Sequence, residues 1–247
     1  FRPNTRVVYV ESPGSQTFEL QDIPAIAAVT HRHNALVIAD NAWATGYFFR
    51  SLAHGVDICA LPCTKYVVGH SDVMMGAVLS NDAAKKRVRH YWADTGTAVG
   101  PDDAWLALRG LRTLAVRMDK HYTNALAVAQ WLETQPTVRR VFYPGLASHP
   151  DHAIAARQMS GFGGMVTFEH RDGYAGASAF FDRIQVFKRA ASLGGVDSLV
   201  SLPVLTSQYG FSDQQLADAG VTKGMVRLSV GIEHIDDLLA DLGQALG

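Results

Sequence analysis

The fold is decided by residues 56–72, which read VDICALPCTKYVVGHSD. The run from Val56 to Leu61 has the length and composition of a short buried strand, and Thr64-Lys65-Tyr66 follows directly after it. A lysine at the end of a buried strand, flanked by apolar residues, has its ammonium pKa depressed by desolvation. A neutral lysine amine attacks carbonyl carbons, so the stretch predicts Schiff-base chemistry at Lys65. The alternative is an exposed lysine in a turn.

On either side of this stretch, short apolar strands alternate with helical segments. Strands are predicted at Val7–Val10 and Leu36–Ala39, with a helix at Ile23–Thr30 between them and a further strand at Gly76–Leu79. This alternation predicts parallel β-α units in an α/β fold, in which side chains at the strand ends form the site.

The second half of the chain has a different pattern. A long helical stretch from Pro101 to Leu132, in which Gly110 marks a bend or break, precedes further strands and a closing helix. The later elements are predicted at Val138–Tyr143, residues 164–169, Val226–Val230 and Ile235–Leu246. We therefore predict a boundary near residue 112, with one domain over residues 1–112 and a smaller α/β domain over residues 113–247.

Two further charged residues lie at or within strands. Asp40 follows the Leu36–Ala39 strand, and a carboxylate there needs a cationic partner or several hydrogen bonds. A protonated pyridine nitrogen is one such partner, and capping of a following helix is the alternative. Strand alternation places Arg227 on the face opposite Val226 and Leu228, where it can grip a carboxylate through paired hydrogen bonds. A solvated edge-strand arginine is the alternative there.

Composition excludes several classes of function. The 247 residues are 48% hydrophobic and 18% charged, and 22 basic residues against 23 acidic ones give a net charge of −1. This charge offers no attraction for nucleic acid or an anionic membrane. No apolar run reaches the roughly 20 residues of a membrane span and no signal peptide is seen, so we expect a cytoplasmic protein. Cys59 and Cys63 are expected to be reduced and buried, and His31 and His33 lack the spacing of a metal site.

Taken together and in order, six stretches resemble the Cys/Met-metabolism enzymes that use pyridoxal 5'-phosphate (PLP), the trans-sulfuration family. The stretches are residues 11–15 (ESPGS), 40–45 (DNAWAT), 64–72 (TKYVVGHSD), 109–114 (RGLRTL), 192–195 (SLGG) and 227–233 (RLSVGIE). Each stretch is weak evidence alone, whereas the ordered set is specific. It favours the functional interpretations of Lys65, Asp40 and Arg227 over their alternatives.

The resemblance implies a PLP-dependent transferase fold of type I, like that of aspartate aminotransferase, and a role for each site residue. Lys65 binds PLP covalently and later moves protons, and Asp40 pairs with the pyridinium nitrogen. Thr64 is expected to bond the cofactor phosphate, and Ser15 to lie near the phenolic oxygen. Arg227 binds the substrate carboxylate, helped by the backbone around Ser192. The resemblance further implies a small sulfur amino acid as substrate and a homotetramer built as a dimer of dimers.

The subtype signals conflict. Residues 11–19 and 40–44 look most like bacterial cystathionine β-lyases, whereas Leu193 stands where those lyases tend to carry Trp and is typical of γ-lyases and γ-synthases. Pro62 replaces a residue that often offers a hydroxyl to the phosphate, so one contact is expected to be lost. The family's amino-terminal portion, with its glycine-rich phosphate turn and stacking tyrosine, is expected to lie outside this chain.

Three hypotheses follow. The favoured one is a PLP-dependent carbon–sulfur β-lyase that cleaves cystathionine or a related cysteine conjugate to a thiol, pyruvate and ammonia. The second is a γ-lyase or γ-synthase on the same scaffold. The third is a non-catalytic remnant, which intact Lys65, Asp40 and Arg227 argue against.

Overall fold

The computed structural model describes residues 1–247, and its first half is built on a four-stranded sheet. The strands are β1 (Val7–Glu11), β2 (Leu36–Asp40), β3 (Ile58–Pro62) and β4 (Gly76–Ser80). They lie side by side in chain order. The β1–β2 and β2–β3 pairs are parallel, as predicted, and the register places Glu11 beside Asp40 and Asp40 beside Ala60. The carboxyl ends of these three strands therefore meet at one edge of the sheet.

The fourth strand departs from the predicted parallel arrangement. β4 runs antiparallel to β3, with Pro62 opposite Gly76. No helix crosses over between these strands, and the chain turns back on itself within residues 63–75. A parallel neighbour needs a crossover of a dozen or more residues, usually helical, so this tight return forces the antiparallel pairing. Lys65 lies in the returning turn.

Five helices accompany or follow this sheet: α1 (Ile23–Arg32), α2 (Thr45–Phe48), α3 (Asp82–Thr95), α4 (Pro101–Leu111) and α5 (Leu114–Glu133). A 3-10 turn covers Ser51–His54. Pro24 lies in the first turn of α1, where its missing N–H costs nothing. None of the helices in the chain combines the length and apolar character needed to cross a membrane.

The predicted long helix is two helices, broken between Leu111 and Leu114. At the break the Thr113 N–H and hydroxyl both donate to the carbonyl of Gly110. Gly110 has no room for a side chain, because a Cβ there would lie 2.5 Å from the Val67 carbonyl oxygen. The predicted break at Gly110 is therefore confirmed, and its cause is close packing of α4 against the turn that follows Lys65.

The second half forms a five-stranded, mostly antiparallel sheet in the order β5-β6-β9-β8-β7. The strands are β5 (Val138–Phe142), β6 (Met165–His170), β7 (Lys188–Arg189), β8 (Leu199–Ser201) and β9 (Met225–Ser229). The helices are α6 (His152–Gln158), α7 (Gly173–Arg183), α8 (Asp213–Asp218) and α9 (Ile235–Leu246), with a 3-10 turn at Pro203–Leu205. The chain is thus α/β with two mixed sheets.

Two large apolar clusters stabilise the fold. One lies between the second sheet and α5, α7 and α9, and includes Phe168 and Leu242. The other gathers residues of both halves, among them Phe18 and Val37 from the first and Met165 from the second. The break between α4 and α5 coincides with the division that we propose near residue 112. The shared cluster packs the two halves together around the site described next.

Candidate active site

Acidic and basic side chains converge at the carboxyl edge of the first sheet. Glu11 ends β1, Asp40 ends β2, and Lys65 lies three residues after β3. Ser15, four residues beyond Glu11, donates its hydroxyl to the Glu11 carboxylate over 2.8 Å. The parallel register places these strand ends side by side. This edge is where open α/β sheets bind their ligands.

The Lys65 amine is partly buried and lies near a positively charged side chain. Its Nζ donates to Ser192 Oγ over 3.0 Å, and it forms no ion pair with a carboxylate. Burial, together with the nearby Arg227 guanidinium, lowers the pKa of Lys65 below its ordinary value of 10.5. Both effects destabilise the ammonium form, so more of the neutral nucleophilic amine is present at a given pH. The predicted desolvated lysine is thus what the geometry provides.

Arg227 brings the second sheet to the same place. It lies at the centre of β9, opposite Thr167 of β6 and Ser201 of β8. Its neighbours Val226 and Leu228 are fully buried in the core, so the predicted alternation is confirmed. The Nε of Arg227 is buried without a hydrogen-bond partner. Burial also lowers the pKa of this guanidinium, against the opposing influence of Tyr66 and Glu11.

An unpartnered buried guanidinium donor is costly unless a ligand completes it. The arrangement is therefore suited to binding a carboxylate between Arg227 and Lys65.

Asp40 remains free of any cationic side chain. One of its oxygens accepts the N–H of Ala42 over 2.8 Å. Burial, together with the charge of Asp40, raises the pKa of the nearby Tyr9 hydroxyl. Helix α2 begins at Thr45 with Ala44 before it, so Asp40 is not a helix cap. That alternative is wrong because a turn at residues 42–44 separates the end of β2 from the start of the helix.

Thr64 lies beside Lys65, but its hydroxyl is already engaged. Oγ1 lies 3.2 Å from the carbonyl oxygen of Met75, to which it donates, and accepts the Met75 N–H over 2.9 Å. A phosphate bond from Thr64 requires the hydroxyl proton to leave Met75. The role predicted for Thr64 therefore stays a prediction, as do those of Ser15 and Ser192.

A glycine loop from the second half closes over the Lys65 backbone. Gly194 has φ +79°, and a Cβ there would lie 2.6 Å from the Tyr66 nitrogen. The loop is tied to the end of β9, because the Gly194 N–H donates to the Ser229 hydroxyl over 3.3 Å. The Ser192 loop therefore packs against the Lys65 backbone, and the Ser192 hydroxyl bonds the Lys65 amine.

Sequence reasoning missed several residues that shape this site. Tyr66 is buried and accepts the Gly164 N–H at its hydroxyl, and burial raises its pKa to about 12. His121 packs edge-on against Tyr66 and bonds the Val230 carbonyl through Nδ1. Arg117 and Asn124 lie on the same helix face as His121 and are buried too.

A signal for these residues did exist in the pattern of α5. Positions 117, 118, 121, 124, 125, 128, 129 and 132 form its buried stripe, and three of them are polar. Val116, an apolar residue of the same helix, lies outside this stripe and is 68% exposed. Polar residues at helical spacing on a buried face indicate a functional or positioning role.

The chemical groups at this site match those that PLP and an amino-acid substrate require. Lys65 offers a desolvated amine to an aldehyde, and Asp40 offers a carboxylate without a cationic partner to a protonated ring nitrogen. Arg227 retains a donor without a partner for the carboxylate of an amino acid. Within this chain, Thr64 and Ser15 are the candidate hydroxyl donors to the oxygens of the cofactor.

Comparison with known proteins agrees with this fit. The sequence profile of the Cys/Met metabolism PLP-dependent enzyme family matches residues 1–247. Cystathionine gamma-lyase of Rattus norvegicus is 43% identical over 246 residues, which cover 99% of this chain and 62% of the relative. L-methionine gamma-lyase of Pseudomonas putida is 42% identical over 246 residues, with the same coverage of 99% and 62%. Cystathionine beta-lyase of Lactococcus lactis subsp. cremoris (strain MG1363) is 41% identical over 247 residues, covering 100% and 65%.

These relatives differ in the reaction that their names state, and the chain spans 62% to 65% of their length. The match to the family is nevertheless uninterrupted, from Phe1 to Gly247. The cofactor of this family is PLP, as the resemblance predicted. The chain therefore belongs to the Cys/Met metabolism PLP-dependent enzyme family.

Proposed function

We propose that the protein is a PLP-dependent carbon–sulfur lyase that cleaves the Cβ–S bond of cystathionine or a related cysteine conjugate. The observation that carries this proposal is the desolvated Lys65 amine, hydrogen-bonded to Ser192 and near Arg227. The family match and the names of the relatives support the lyase chemistry.

Four residues are proposed to hold the cofactor. Lys65 binds it covalently, Asp40 pairs with its ring nitrogen, and Thr64 and Ser15 contact its phosphate and phenolic oxygens. When bound, PLP supplies an electron sink that stabilises negative charge at the substrate Cα. Asp40 supports that property, because a nearby carboxylate keeps the ring nitrogen protonated.

The remaining residues are proposed to position the substrate and move its protons. Arg227 binds the α-carboxylate through paired, charge-assisted hydrogen bonds and so fixes the orientation of Cα. The Lys65 amine, once released, takes the Cα proton, and its lowered pKa keeps it neutral for that step. Ser192 holds the amine in place by accepting its hydrogen bond. The sulfur then leaves from Cβ and takes up a proton to give the thiol, and one water molecule hydrolyses the remaining carbons to pyruvate and ammonia.

Elimination at Cγ is the second candidate, because two observations favour it. Leu193 follows Ser192 where β-lyases tend to carry Trp, and several relatives are named gamma-lyases. Cγ elimination needs a second proton abstraction, at Cβ, and we propose the Lys65 amine for that step too. We favour the β-lyase on residues 11–19 and 40–44, which are longer stretches than the single position 193.

Assembly and location are proposed from the family resemblance. We propose a cytoplasmic homotetramer, built as a dimer of dimers. Helix α4 supports an interface between subunits, because Trp105, Leu108 and Leu111 are all at least half exposed.

Incubation of the full-length, PLP-loaded protein with cystathionine tests the proposal. Pyruvate with homocysteine supports the β-lyase, whereas 2-oxobutyrate with cysteine overturns it in favour of the γ-lyase. Lys65→Ala serves as the matched control that must abolish either pair. If the wild type forms neither pair and binds no PLP, the lyase proposal fails and the non-catalytic remnant is favoured.

A further inference from the structure

A buried cation without any acidic partner lies under the turn that carries Lys65. Arg117, on α5, is only 4% exposed. Its Nη1 donates to the Tyr66 carbonyl over 2.6 Å, and its Nη2 donates to the carbonyls of Val67 over 3.1 Å and Gly110 over 2.7 Å. Its Nε donates to the Thr113 hydroxyl over 3.0 Å. We call this group, Arg117 with the three carbonyls, the clamp.

Placing the Arg117 guanidinium in the core carries a large desolvation free energy. Burying a charge costs far more than burying an apolar side chain of similar size, unless strong hydrogen bonds offset the cost. All four acceptors here are neutral, so no opposite charge repays the desolvation. What the guanidinium provides is a rigid planar fork that fixes several carbonyls at once. A flexible ammonium or an apolar side chain does not provide that geometry.

Two glycines make the clamp possible. At Gly69, which has φ +74°, a Cβ would lie 2.2 Å from Arg117 Nη1. At Gly110 a Cβ would lie 2.4 Å from the Val68 carbonyl oxygen. Both positions therefore exclude side chains so that the turn, the α4–α5 junction and the guanidinium can pack together.

We propose that Arg117 is a positioning residue that fixes the Lys65 turn from below, so that the Lys65 amine is held against Ser192. The turn has backbone bonds of its own, from the Lys65 N–H to the Pro62 carbonyl over 3.1 Å and from the Gly69 N–H to the Lys65 carbonyl over 2.8 Å. These bonds leave the Tyr66 and Val67 carbonyls to Arg117. From above, Gly194 presses on the peptide between Lys65 and Tyr66. The clamp supplies the opposite wall, and with both walls in place the Lys65 side chain extends to Ser192 at 3.0 Å. The catalytic consequence of this positioning rests on the proposed function.

Arg117→Lys is the decisive variant, since it keeps a positive charge and removes the fork. Arg117→Met removes both. Asp241→Asn is the matched structural control: Asp241 is 5% exposed and accepts the N–H groups of Gln185, Val186 and Phe187 in the second half of the chain. It destabilises the fold without contacting the Lys65 turn.

The first readout uses the cofactor-free, full-length protein. Labelling of Lys65 by acetic anhydride is followed against pH by mass spectrometry, with exposed Lys86 as the internal reference. We expect the labelling midpoint of Lys65 to move to higher pH in Arg117→Lys, because the released amine reaches water. Asp241→Asn is expected to leave the midpoint unchanged.

The second readout uses the PLP-loaded protein. We expect kcat to fall roughly 10- to 100-fold in Arg117→Lys, with KM changed less than about twofold, because misplacement of a reacting group lowers the rate of the chemical step. An Arg117→Lys protein with the wild-type midpoint and kcat overturns the proposal, and a fall in thermal stability alone then assigns Arg117 a structural role. If Arg117→Met does not fold, Arg117→Lys still decides. A wild type without lyase activity refutes the proposed function, whereas the labelling midpoint still tests the clamp.

Discussion

Arg117 contacts the turn that follows Lys65 and Arg227 lies near the Lys65 amine, and the surroundings of their guanidinium groups differ. Arg117 directs four hydrogen bonds to groups of the chain itself. Arg227 keeps its buried Nε without a partner. In both residues burial lowers the guanidinium pKa. On one side, which we call the closed side, Arg117 uses four of its five N–H groups within the chain. On the other, the open side, Arg227 keeps a buried donor without a partner.

This difference separates a residue that holds the protein together from one that awaits a ligand. A saturated buried cation stabilises one backbone arrangement, and its removal leaves carbonyls without donors. A buried cation with a free donor can form a charge-assisted hydrogen bond with a carboxylate ligand. The closed side, around Arg117 and Tyr66, should therefore govern stability and the placement of Lys65. The open side, around Arg227, should govern substrate affinity.

The largest effect is expected at the residue between the two sides. Lys65→Ala should lower kcat at least about 10²–10⁴-fold, because it removes both the nucleophile and the proton-transferring group. The visible absorbance of bound PLP should change with it. Steady-state kinetics and absorbance spectroscopy measure both. Lys86→Ala, at an exposed site, should retain full activity, and comparable losses in the two variants would refute the assignment.

On the closed side, His121 should make stability depend on pH. Burial lowers its pKa from 6.5 to about 4, assisted by the charge of Arg117. Because the folded pKa lies below the unfolded one, the stability is fully present above pH 6.5 and is lost as the pH falls toward 4. The loss is about 3 kcal/mol, since one pKa unit corresponds to about 1.4 kcal/mol.

Urea unfolding between pH 4 and 7 checks this, with His121→Gln as the variant expected to flatten the slope. His90→Gln, at an exposed position, should leave the slope intact. An unchanged slope in His121→Gln would contradict the account.

On the open side, Arg227→Lys should weaken substrate binding more than it slows the chemical step. Loss of a bidentate, charge-assisted pair costs about 1.5–3 kcal/mol, which corresponds to roughly 10- to 100-fold in KM. Folding stability should change little, because Arg227 Nε has no partner to lose. Initial rates over a range of cystathionine concentrations, with Arg183→Lys as control, measure the split. A variant with lowered stability and an unchanged KM would show that Arg227, like Arg117, stabilises the protein and does not bind the substrate.

The smallest effect is expected at Ser192, which links Lys65 to the second half. Ser192→Ala removes one hydrogen bond to the Lys65 amine, worth about 0.5–1.5 kcal/mol, so kcat should fall about two- to tenfold. Single-turnover kinetics are the suitable measurement, with Ser148→Ala as the remote control. A hundredfold loss would mean that Ser192 does more than hold the amine.

The sequence predicted the open side better than the closed side. Lys65, Asp40 and Arg227 could be singled out because each lies at, in or just after a strand of apolar composition, where a charged residue stands out. Their roles stay predictions. The antiparallel return of β4 was not predicted, since an apolar strand has the same pattern in either direction. The clamp was also missed, because Arg117 donates to backbone carbonyls, and such partners leave no mark on residue types. Gly69 and Gly110 are visible in the sequence, but only the structure shows that Arg117 and the Lys65 turn leave no room for a side chain at either position.

The account depends most on Lys65 being the residue that binds PLP. Borohydride reduction of the full-length, PLP-loaded protein, followed by peptide mapping, tests this directly. The chain has six lysines, Lys65, Lys85, Lys86, Lys120, Lys188 and Lys223. We predict a stable phosphopyridoxyl group on Lys65 alone. Attachment at another lysine, or none in a protein that retains lyase activity, would contradict the account.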